Sequence, residues 1–146
     1  MSQRLHRSRL AQASDSQRLS ELLEIEMLRQ IVRRELRTHG GQRTLAREIG
    51  IHRTSLRKFA DGQSTPEPTN LAEIREWAAD RPQVEMPMAL VALAVLMDDL
   101  PPAARPGARH RFAKLLHDLY SETGEGVPTW VSNELRGLGR PRAEER

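Results

Sequence analysis

Between Gly41 and Gly62 the chain reads "GQRTLAREIGIHRTSLRKFADG", two short apolar-periodic segments with Gly50 between them. Leu45, Ala46 and Ile49 fall on one side of a helix over about Arg43 to Ile49, and Leu56 and Phe59 on one side of a second over about Arg53 to Phe59. Two helices that cross steeply must approach closely, so the inner face of the first wants a small residue, which Ala46 supplies. The link needs a residue that accepts positive φ, and Gly50 stands four residues later. Ile51 then points inward as the turn closes. His52, Arg53, Thr54, Arg57 and Lys58 are left largely outward. A helix with a satisfied inner face and an outer face of arginine, threonine and lysine is suited to the major groove of DNA.

The rest of the chain is also helical in pattern, and no strand alternation is visible. Leu22, Ile25, Leu28, Val32 and Leu36 recur at three- and four-residue steps, which predicts a helix from about Asp15 to Thr38, stopped by "HGG". After the two-proline turn "QSTPEP" a fourth helix starts near Pro68, with Leu71, Ile74, Trp77 and Ala78 as its stripe. Beyond Pro82, "MALVALAVLM" is apolar on every face. It reads as a buried core helix, the seam of a homodimer, or the wall of a small-molecule pocket. "PPAARPG" reads as a loop, "ARHRFAKLLHDLYSE" as an amphipathic helix and "PTWVSNELRGL" as a last short one. Aromatics are only 3% of residues, so the core must be built from Leu, Ile, Val, Met and Ala, which suits packed helices. The fold class expected is all-α. The chain divides into a basic arm (1–15), a four-helix unit (16–81), a helical dimerisation or interaction unit (82–138) and a tail (139–146).

Charge is unevenly spread. From Arg29 to Lys58 nine basic residues face two acids, a net of +7 in thirty residues, whereas beyond Asp80 nine basic residues meet nine acidic ones. Such a concentrated field attracts polyanions. The cations are almost all arginine, whose planar fork matches phosphates and guanine edges; Lys58 and Lys114 are the only lysines. There is no cysteine, which excludes disulfides, thiolate metal sites and thiol nucleophiles. No apolar run follows the basic start "MSQRLHRSRL", and the longest, Met86 to Met97, is short of the roughly 20 residues a membrane span needs. A soluble cytoplasmic protein is the expectation. His110 and His117 lie two helical turns apart, too far for one metal ion. No grouping suggests catalysis, a cofactor or a metal site, so the chain is read as no enzyme.

The series Gln42, Ala46, Gly50-Ile51, Leu56, Phe59, Asp61-Gly62 and Pro66 resembles the helix-turn-helix of the phage-repressor-like (Xre/Cro-type) DNA-binding family over about residues 28–79. The resemblance implies a lambda-repressor-like bundle that binds double-stranded DNA, with 53–59 as recognition helix. It implies base contacts from Arg53, Thr54 and Lys58, with Arg53 bidentate to guanine, and phosphate contacts from Gln42, Arg43, His52 and Arg57. One departure is Ala60, where the family often has glutamate, so the end of the recognition helix is expected to differ. Transcription regulation by a homodimer reading two half-sites is the function implied. The alternatives are an antitoxin or adaptor that binds a protein through its C-terminal helices, and a DNA-tethering subunit of a recombination or defence complex.

Overall fold

The computed structural model describes residues 2–38 and 41–136, with side chains from residue 14 onward. Its elements are α1 (Ser2–Thr38), α2 (Gln42–Ile49), α3 (Arg53–Ala60), α4 (Pro68–Ala78), α5 (Met88–Asp98), a 3₁₀ turn (Pro102–Ala104), α6 (Arg105–Thr123) and α7 (Thr129–Arg136). The fold is all-α, with no strand among the described residues. No described helix is long and apolar enough to cross a membrane.

Two boundaries differ from the sequence reading. The backbone of α1 starts at Ser2, so it runs through the stretch read as an arm. Arg4, Arg7 and Arg9 of that stretch, and the tail 139–146, lie outside the described side chains and residues. "PPAARPG", expected as a loop, forms the 3₁₀ turn and the first residues of α6. Pro106 sits in the first turn of α6, where a missing N–H breaks no helical hydrogen bond.

The larger core gathers Leu28, Ile31 and Val32 of α1 with Leu45 and Ile49 of α2, Leu56 and Phe59 of α3, and Ile74 and Trp77 of α4. A smaller one collects Leu90, Leu93 and Met97 of α5, with Met86, Leu100, Ala108 and Trp130 against them. The expected division near Arg81 falls in the segment between α4 and α5. There Arg81 stacks on Trp77 (4.1 Å to the ring centre) and pairs with Glu48 of α2 at 2.7 Å.

Between the two apolar clusters lies a buried ionic one. Arg109 of α6 sends Nη2 to both Glu26 Oε1 of α1 and Glu134 Oε1 of α7, each at 2.7 Å. Arg29 also pairs with Glu26, Arg33 reaches Glu134 at 3.4 Å, and Gln30 donates to Glu26 at 3.1 Å. All six side chains are buried, Glu26 completely. Removing one partner from such a set strands a charge in a poorly solvating interior and costs on the order of 3–5 kcal/mol.

The cluster gives stability a pH dependence of definite sign. Burial raises the pKa of Glu26 and Glu134, but the Arg109, Arg29 and Arg33 charges and their hydrogen bonds outweigh it and hold both carboxyls below the usual range. Their stabilisation is therefore complete above the unfolded-state glutamate value of about 4.3 and is lost as pH falls below it. Thermal melts followed by circular dichroism should show a flat midpoint above about pH 5 and a steep fall below about pH 4. Glu134→Gln should start lower and fall less steeply. An equal slope in the variant would remove Glu134 from the effect.

Candidate nucleic-acid interface

Helix α2 buries Leu45, Ala46 and Ile49 and exposes Arg43, Thr44, Arg47 and Glu48. It stops at Gly50, whose φ of 93° is open to glycine at little cost. The Gly50 and Ile51 amides both donate to the Ala46 carbonyl, at 2.9 and 3.0 Å, and Ile51 is buried. This exit satisfies the Ala46 carbonyl near the helix end, and it aims the chain straight into the next helix.

At the entry of α3, His52 Nδ1 accepts the Thr54 amide at 3.2 Å. Expected from the resemblance as a phosphate contact, His52 is also the N-cap of α3. With Nδ1 accepting, the neutral ring carries its proton on Nε2, which remains a donor. Helix α3 then buries Leu56, Phe59 and Ala60 completely. Arg53, Thr54 and Lys58 stand exposed on its other side. Arg43, Arg53 and Lys58 have no ion-pair partner among the described residues, and neither does Arg47, which the sequence reading did not single out.

The remaining expected contacts are more constrained. Arg57 is half-buried and its Nε donates to Asp61 Oδ2 at 3.0 Å, so its charge is partly offset by the residue that follows its helix. Both partners keep about 30% of their surface, where such a pair is worth well under 1 kcal/mol, so an anion could draw Arg57 away. Gln42 is half-buried at the first position of α2, beside Gly41, which offers no side-chain cap.

The charge count also changes when burial is included. Arg29 and Arg33, two of the nine basic residues in the +7 segment, are buried in the ionic cluster. Arg34 donates to the Pro82 carbonyl at 2.9 Å and pairs with Glu35. What reaches solvent is therefore concentrated on α2 and α3. A sequence hint existed: Glu26, Arg29/Gln30 and Arg33 recur at three- and four-residue steps beside the apolar stripe of α1. That spacing alone, however, is also that of an ordinary solvated charged face.

The buried arginines position α3 from behind. Arg29 Nε donates to the Phe59 carbonyl at 2.8 Å and Arg33 Nη1 to the Ala60 carbonyl at 3.2 Å, so both arginines close the last turn. Arg29 also lies over the Phe59 ring, 5.0 Å from its centre. Ala60 is the last residue of α3, and its lack of a side chain beyond Cβ suits a position with no exposed surface. The chain leaves through Gly62 (φ 80°), with the Gln63 amide on the Lys58 carbonyl at 3.0 Å.

No family model matches this chain, and neither does any curated protein or solved structure. The site therefore stands on its own geometry.

The two positive-φ glycines that bracket α3 differ in their surroundings. A Cβ on Gly50 would meet only Glu73 Oε2, at 3.8 Å, whereas one on Gly62 would stand 2.8 Å from Arg109 Cδ. Arg109 cannot give way freely because its guanidinium is fixed by two carboxylates. Gly50→Ala should cost only the left-handed backbone penalty, about 1–2 kcal/mol. Gly62→Ala should cost clearly more, read as a lower urea midpoint at unchanged slope. Equal losses would mean that Arg109 is not packed against the exit of α3.

Proposed function

We propose that this chain is a sequence-specific DNA-binding transcriptional regulator of the phage-repressor type, with α3 as the helix that enters the major groove. The observation that carries this reading is the sorting of side chains on α2 and α3. Every apolar residue of α3 is buried, and Arg53, Thr54 and Lys58 are exposed with no ion pair to hold them. Arg53, at the first turn, is placed by the reading against guanine O6 and N7, Thr54 against a thymine methyl and Lys58 against a further base edge. Arg43, His52 through Nε2, Gln42 and Arg57 would fix register on phosphates.

A dimer is the second part of the proposal, and it rests on α5 and α6. Helix α5 buries Leu90, Leu93, Ala94 and Met97 but exposes Val95 and Leu96, and α6 exposes Phe112, Leu115 and Leu119. Leu115 and Leu119 keep 53% and 47% of their surface. With half-buried Leu116 the α6 stripe 112, 115, 116, 119 has the same spacing in either direction, so an antiparallel copy can present Phe112 to Leu119 and Leu115 to Leu116. Self-complementarity of this kind is what a two-fold contact requires. The same face also favours the alternative of an antitoxin, adaptor or tethering subunit, in which another protein covers it.

Selection from a random duplex pool tests the reading directly. Arg53→Ala should cost about 1–3 kcal/mol at one base pair and relax specificity there. Arg43→Ala should weaken all sequences alike and reduce the salt slope by about one unit. Both variants binding a selected site like the wild type would sink the docking proposed.

For the dimer, sedimentation equilibrium should give a two-chain mass for the wild type and a single-chain mass for Leu115→Glu/Leu119→Glu. A wild-type chain that stays monomeric while binding one half-site would leave the apolar face to a different protein.

A further inference from the structure

A cavity of about 410 Å³ lies beside α4 and one of about 400 Å³ beside α7. The second combines an apolar wall with unused polar groups. It lies between α1, the segment before α5, the start of α5 and the first turn of α7. Val84, Pro87, Leu90, Pro128 and Trp130 form its apolar lining.

Two side chains of α1, seven residues and so two turns apart, line the same cavity. Gln30 is 5% exposed, and its amide nitrogen is committed to Glu26 at 3.1 Å and Glu134 at 3.4 Å. Its carbonyl oxygen accepts from no described group and is not sealed from solvent, so it is open to a donor. Arg37 has no hydrogen-bond or ion-pair partner among the described residues. Its pKa is held down by partial loss of water; the charge of Glu134 opposes this, and the weaker influences of Arg136 and Arg34 add to it. Glu85, exposed, is the one carboxylate lining the cavity, and Asn133 adds an amide from α7. Arg37 is therefore the one cation of this lining, and it has no ion-pair partner among the described residues.

From this arrangement we propose that the cavity binds a small aromatic carboxylate bearing a hydrogen-bond donor opposite its acid group. The carboxylate pairs with Arg37, the ring lies among Trp130 and the prolines, and the far hydroxyl or N–H donates to Gln30 Oε1. About 400 Å³ lies at the small end of ligand pockets, which suits one such ring. Gln30 donates to Glu26 and Glu134, the carboxylates that pair with Arg29 and Arg33, so the occupant touches the framework behind the proposed reading helix. Its service as an effector of DNA binding rests on the function proposed above; its binding does not.

Titration calorimetry without DNA, with 4-hydroxybenzoate and benzoate as probes, decides the point. The expected result is a saturable heat for one site per chain, with benzoate weaker because it lacks the far donor. Arg37→Gln should weaken 4-hydroxybenzoate at least tenfold, and Arg37→Lys should recover part of the loss. Arg37 is exposed on α1, so circular dichroism should show both variants folded like the wild type. No saturable heat with the wild type, or equal affinity in Arg37→Gln, overturns the proposal. Adding 4-hydroxybenzoate to a selected duplex complex then reads the effector role: an unchanged duplex affinity overturns that role. A chain that binds the acid but no duplex at all would refute the regulator reading and leave the cavity's assignment standing.

Discussion

The pairing of Arg109 with Glu26 and Glu134 is the constraint on which the arrangement of helices depends. Apolar contacts are tolerant of direction, and a leucine cluster can be satisfied at many crossing angles. A guanidinium is not: its fork is planar, and buried carboxylates must meet it nearly edge-on to recover the loss of water. Arg109 is satisfied only when α1 and α7 both stand in place beside α6. Lysine could not replace it, because one ammonium cannot present parallel N–H bonds to two carboxylates. The two apolar clusters supply the driving force for collapse, and the ionic cluster fixes how they are joined.

The cluster is not neutral by itself, since three arginines meet two glutamates. The balance comes from the end of α3. Its last carbonyls carry the partial negative charge of a helix C-terminus, and Arg29 and Arg33 donate to two of them. The excess positive charge in the interior and the open carbonyls of α3 therefore cancel each other's cost. Gly62 makes the contact possible, because any side chain there would meet Arg109. The orientation of α3 is thus set by α1 and α6 from behind, and its outer face is left free of structural duties.

Much of this fold is legible in the sequence. Gly50, Pro68 and the periodic stripes place α2, α3 and α4 to within a residue or so, because those signals are local: a backbone conformation, a missing N–H, a repeat of three and four. The placement of α6 is less legible. A proline and a glycine near its start imitate a loop, and only the first-turn rule distinguishes the two cases. The ionic cluster is legible only as a spacing on α1, and its long-range members not at all. Its members are separated by up to 108 positions, from Glu26 to Glu134, and each in isolation has the spacing of a solvated charge. Long-range pairing leaves no local trace. The exposed stripe of α6 is partly legible, since Phe112, Leu115 and Leu119 read as a buried face until the other helices are seen to leave it uncovered.

The arginine excess separates into two jobs once burial is known. Arg29, Arg33 and Arg109 point inward and are spent on carboxylates and helix-end carbonyls. Arg43, Arg47 and Arg53 stand exposed on α2 and α3 with no ion-pair partner among the described residues. A coding preference for arginine would raise both populations, but it would not gather the unpaired members on two short helices while pairing the buried ones. It would also give no reason for Thr54 and Lys58 to share the exposed side with Arg53. That sorting is the observation on which the proposed anionic partner rests, beside a helix whose inside is already complete.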